Sequence, residues 1–70
     1  MNIPAAVTER LAKMQRNKLW LAEKSGVAKT PIYNFMKGDS DMTIGNLQTL
    51  ATKGLGIKLS TLIKEAESKS

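Results

Sequence analysis

Apolar residues recur at helical spacing along almost the whole chain, and nowhere do they alternate as a half-buried strand requires. In residues 5 to 16, Val7, Leu11 and Met14 fall at i, i+4 and i+7, with Glu9, Arg10, Lys13 and Arg16 on the other side. This predicts an amphipathic first helix over about 5–16, beginning after Pro4. Asn17 breaks it and is a good N-cap for a second helix of two turns, KLWLAEKS, which turns Leu21 and Ala22 inward. Gly26 ends that helix, since glycine takes the left-handed conformation common at helix C-termini. Ile32, Phe35 and Met36 then form one stripe at i, i+3 and i+4. Pro31 has no amide hydrogen and fits only a first turn, so the third helix begins near Ala28 or Lys29 and runs to Gly38.

After the polar DSDM loop, Thr43 is the expected cap of a fourth helix over about 43–53, carrying Ile44, Leu47, Leu50 and Ala51 and ended by Gly54 and Gly56. Leu59, Leu62, Ile63 and Ala66 mark a fifth over about 59–67, with Lys58 or Ser60 near its start and the polar SKS tail fraying. There is no internal repeat, low-complexity tract or linker. The pattern predicts one all-α domain over residues 1–70, a compact bundle of five short helices. Met14, Met36 and Met42 are expected to fill the core or its edge.

The second helix, the glycine and the third helix, over about 18–37, have the pattern of a helix-turn-helix, in which the later helix lies in the major groove of DNA. Ala22 lets the two helices approach, Gly26 permits the turn, Val27 plugs the corner, and Ile32 with Phe35 anchors the later helix. Lys29, Thr30, Tyr33, Asn34 and Lys37 are left on its outer face. All but Tyr33 are short or flexible donors, and the carboxamide of Asn34 can pair bidentately with adenine.

Composition narrows the chemistry. The chain has no Cys and no His, so it lacks a thiolate metal cluster, a disulfide framework and the usual general base; an enzyme is not expected, nor any metal or cofactor. Eleven Lys and Arg against six Asp and Glu give a net charge of +5 and a pI near 9.8, which favours a polyanionic partner. No apolar run approaches the roughly 20 residues of a membrane span, and the start has no signal-peptide pattern. No membrane partner and no small-molecule ligand is expected, and the cytoplasm of a prokaryotic or phage-infected cell is the expected location.

The segments LAEKSGVAKTPIYNFMKG and TIGNLQTLATKGLGIKLSTLI, within Asn17 to Ile63, resemble the Cro and phage-repressor-like (XRE-type) helix-turn-helix regulators. The resemblance implies a lambda-repressor-like DNA-binding domain and a transcription regulator, a Cro- or repressor-type protein that occupies a near-palindromic operator in double-stranded DNA as a homodimer. It implies base contacts from Lys29, Thr30 and Asn34 and phosphate contacts from Lys18 and Lys37; Tyr33 either contacts the sugar-phosphate backbone or covers the helix surface. The stripe Leu59, Leu62, Ile63 and Ala66 is wide for a terminal helix and is the expected dimer interface.

Three positions depart from the family pattern. Ala28 stands where Ser or Thr often caps the recognition helix, so capping is expected to shift to Thr30 with Pro31 first in the helix. ATKGLGI is one residue longer than usual, which predicts a bulge near Gly54. Trp20 stands where the family is polar; it either folds back half-buried over the first helix or forms a contact surface with Leu19. The alternative function is a protein-interaction module, an antitoxin or adaptor, that holds its partner on the Leu19 and Trp20 surface. With 70 residues and no second domain, no ligand sensor or cleavage switch is expected.

Overall fold

The computed structural model describes residues 1–69; Ser70, at the end of the tail expected to fray, lies outside them. The described chain is all helical, five helices with no strand among these residues. They are α1 (Ile3–Met14), α2 (Lys18–Ser25), α3 (Lys29–Lys37), α4 (Ile44–Thr49, continued by a π-helical segment, Leu50–Leu55) and α5 (Leu59–Glu67).

Side-chain capping sets three of the starts. Asn2 accepts from the Ala5 amide at 3.1 Å, Asn17 from Trp20 at 2.8 Å, and Thr43 from Asn46 at 3.2 Å. α1 therefore begins two residues earlier than the expected residue 5, because Pro4 stands inside its first turn, where a missing amide hydrogen costs nothing. It ends two residues before the expected residue 16, at Met14. Gln15 takes the left-handed conformation there, with φ 57°, and its amide closes back on Leu11 and Ala12. α2 stops at Gly26, with φ 81°. In the turn to α3 the buried Ser25 hydroxyl accepts from the Val27 amide at 3.2 Å, which fixes how the chain leaves α2.

The fourth helix does not run as one α-helix over 43–53. From Leu50 its hydrogen bonding widens by one residue per turn, and the bulge expected near Gly54 takes the form of a π-helical segment that includes it. The Ile57 amide donates to Ala51 at 2.9 Å and closes the end. Gly54 is buried against α2: a Cβ there would lie 2.5 Å from Leu21 Cδ1 and 3.3 Å from Ser25 Cβ. This close approach is what the glycine permits.

Each helix gives the core one large, fully buried side chain: Val7, Leu21, Ile32, Leu50 and Leu62. α2 packs on the π-helical segment and on α3, while α1 packs beside α5. The Asn2 amide also donates to the Ala66 carbonyl at 3.0 Å, tying the chain start to α5.

That arrangement corrects the expected dimer surface. Leu62 and Ala66 are wholly buried in this molecule's own core, because α5 closes the bundle against α1. Leu59 and Ile63 are half-buried, with Leu59 packed on the same core. Leu62 and Ala66 hold α5 in place and are not free to meet a second copy, whereas Leu59 and Ile63 keep part of their surface exposed. Of the methionines, Met36 and Met42 pack at the core edge, whereas Met14 is 38% exposed.

Candidate nucleic-acid interface

α3 presents its residues in two sectors. Ile32 and Phe35 are buried and Met36 covers the core edge, so Thr30, Asn34 and Lys37, at i, i+4 and i+7, lie on the opposite side. Lys29, Tyr33 and Lys37 form a second row at i, i+4 and i+8 along one flank. Lys29, Thr30 and Lys37 are exposed, and Asn34 and Tyr33 are half-buried. Among the described residues, no side-chain hydrogen bond engages Thr30 or Asn34, which leaves both free to meet a ligand.

The start of α3 differs from expectation. Capping does not move to Thr30. Ala28 is the N-cap and Lys29 the first helical residue, with no side-chain cap at all. The three side-chain caps, Asn2, Asn17 and Thr43, each accept from the amide three residues on. At α3 that residue is Pro31, which has no amide hydrogen, so a Ser or Thr at position 28 would lack its usual donor. Thr30 is thereby released from backbone duty. Lys29 stands in the first turn, where its charge opposes the helix dipole by roughly 0.3–1 kcal/mol, and no acidic residue in that turn offsets it.

α2 adds to the same surface. The Lys18 ammonium lies over the Tyr33 ring, 5.2 Å from its centroid, so the start of α2 and the middle of α3 meet there. Such a contact is worth roughly 0.5–1 kcal/mol when exposed. Lys18, Tyr33, Lys29 and Lys37 are thus brought along one edge, with Thr30 and Asn34 beside them.

Charge is divided between two faces. Glu65 takes the Arg10 guanidinium through both carboxylate oxygens, with Nε donating to Oε1 at 2.9 Å, and Glu9 pairs with Lys69 and with Lys13 at 3.4 Å. The Arg10 hydrogen bond holds the Glu65 carboxyl below its ordinary value, and Lys69, followed by Lys13, does the same for Glu9. These groups belong to α1, α5 and the residues just after α5. Among the described residues, no ion pair involves Lys18, Lys29 or Lys37.

Sequence reasoning missed one contact. Arg16 was placed with the outer face of the first helix, but it lies in the link after α1 with its guanidinium 5.1 Å from the centroid of the Trp20 ring. The two residues are four apart, a spacing that signals a pair on one helix, yet here it spans the break between two. Trp20 is half-buried against the core and Leu19 is 43% exposed, so the surface expected of the pair is carried mainly by Leu19.

Comparison with family models, with curated proteins and with solved structures finds no match to this chain.

Proposed function

We propose that this protein is a sequence-specific DNA-binding regulator of Cro or repressor type, with α2, the Gly26 turn and α3 acting as a helix-turn-helix. The observation that carries the reading is the outer face of α3. It brings Thr30 and Asn34, whose side chains make no hydrogen bond among the described residues, beside Lys18, Lys29 and Lys37, while the carboxylates of Glu9 and Glu65 are engaged on the α1–α5 face. Phosphate contacts by the lysines give affinity and register, and base edges are read by Asn34, Thr30 and Lys29.

The molecule measures 27 × 24 × 21 Å, less than one turn of DNA, so one copy covers one half-site. Two copies on half-sites about 34–36 Å apart are the expected complex. With Leu62 and Ala66 committed to the core, association without DNA is weak in this reading, and sedimentation at micromolar concentration reports a monomer. Occupying an operator in this way excludes polymerase and represses.

A salt titration on duplex DNA tests the reading. Phosphate contacts by Lys18 and Lys37 give log K against log salt a slope of about −2 per subunit, or about −3 where Lys29 meets phosphate as well. Lys29→Ala lowers the magnitude of that slope by about 0.9 if the lysine meets phosphate, and Asn34→Ala reduces discrimination at one base pair by about 1–3 kcal/mol. Absence of binding at low salt would sink the proposal. Equal loss on operator and random duplex for Asn34→Ala would remove that residue as a reader.

A further inference from the structure

Arg16 and Trp20 have no part in the contacts assigned above, yet they form a built feature. Arg16, Asn17 and Lys18 line an open depression of about 310 Å³ together with residues of α1 and Met36 of α3. Both cations at its rim lie over aromatic rings, Arg16 over Trp20 and Lys18 over Tyr33. Each ring is itself half-buried on the core, so each cation has a fixed support. Among the described residues, neither cation is in an ion pair.

The far end of α3 is different. The loop after it carries Asp39 and Asp41, both exposed, whose charge opposes an approaching phosphate. Lys37 meets phosphate against that charge, whereas the α1–α2 link, residues 15–17, carries no carboxylate. Arginine suits that place, since it can stack on an aromatic face and still present N–H donors to phosphate oxygens. Held on the ring, it has less side-chain freedom to lose on binding.

We infer that Arg16 and Lys18 clamp a DNA backbone phosphate at the α1–α2 junction, with Trp20 as the positioning residue that holds Arg16 in place. This rests on the DNA-binding proposal and extends its footprint beyond α2 and α3. It also gives Trp20, the chain's one tryptophan, a role that a polar residue at its position could not fill.

The test is a salt titration of the full chain on one duplex, comparing wild type with Arg16→Gln, Trp20→Leu and Trp20→Phe, with circular dichroism to check that each variant is folded. Arg16→Gln is expected to lower the slope magnitude by about 0.9 and to weaken binding roughly five- to tenfold near 0.1 M salt. Trp20→Leu keeps the charge, so it weakens binding at an unchanged slope, and Trp20→Phe restores affinity by keeping a ring under the guanidinium. If wild type binds and Arg16→Gln shows the same affinity and slope, the clamp is wrong and the α2–α3 reading stands. If wild type shows no salt-dependent binding, both fall. Equal weakening by Trp20→Leu and Trp20→Phe would remove the positioning role of the ring.

Discussion

Asn2, Asn17 and Thr43 were readable as caps or breaks from residue type because each works through a local contact with the third residue on. The sequence pattern points to Asn17 and Thr43 and not to Asn2, because Pro4 suggests a helix that starts after it, whereas Pro4 stands in the first turn. The same rule failed at α3 for a local reason as well, since Pro31 removes the donor a cap would need. A missing cap looked like a displaced one. Two substitutions separate these cases: Thr43→Ala should cost about 1 kcal/mol, whereas Ala28→Ser should change stability by less than about 0.5 kcal/mol. Chemical denaturation of the two variants checks both, and a full capping gain from Ala28→Ser would show that Thr30 supplies the donor that Pro31 lacks.

At the scale of the element, periodicity placed every helix but could not say what covers each face. The α5 stripe shows this. Its width signalled burial, and the burial is intramolecular: Leu62 and Ala66 meet α1 and the core rather than a second copy. Leu62→Ala should therefore destabilise the monomer by about 2–5 kcal/mol, read as a thermal or denaturant shift in the absence of DNA. A bulge near Gly54 was expected from the family resemblance, but its π-helical form was not. Within this π-helical segment Gly54 passes Leu21 and Ser25 of α2 with no room for a side chain, a contact between segments far apart in sequence. Gly54→Ala gains helix propensity of up to about 1 kcal/mol, yet it forces the fully buried Leu21 to move. Overpacking wins, and a net loss of about 1–2 kcal/mol is expected from denaturation. A stabilised variant would mean that the packing at this crossing is loose.

For the whole molecule, the net charge of +5 was plain from composition, but its division between faces was not, because Arg10 and Glu65 are brought together only by the packing of α1 on α5. The division has a consequence in acid. With the Glu65 value depressed in the folded state by Arg10, its contribution to stability is present above the unfolded glutamate value of about 4.3 and is lost as pH falls through the folded one. The pair is about one-third exposed, which limits it to roughly 0.5 kcal/mol. Glu65→Gln should be slightly less stable at neutral pH and lose less between pH 5 and 3 than wild type, followed by circular dichroism. Parallel acid losses would show that the pair contributes nothing. Since this face is separate from α3, DNA affinity should be unchanged in the same variant.

The α3 outer face was the most legible part of the candidate site, because Pro31 and Gly38 bracket the helix and Ile32 and Phe35 fix its rotation. The Arg16 and Trp20 pair was the least, since it depends on the path of the link between two helices.

The central claim, that α3 and the start of α2 form the DNA-binding face, is tested most directly by mapping backbone amide chemical shifts as duplex DNA is added. Perturbations gathered at Lys18, Lys29, Thr30, Asn34 and Lys37, with the α1–α5 ion-pair face silent, are the predicted result. Shifts confined to the α1–α5 face, or none at low salt, would contradict it.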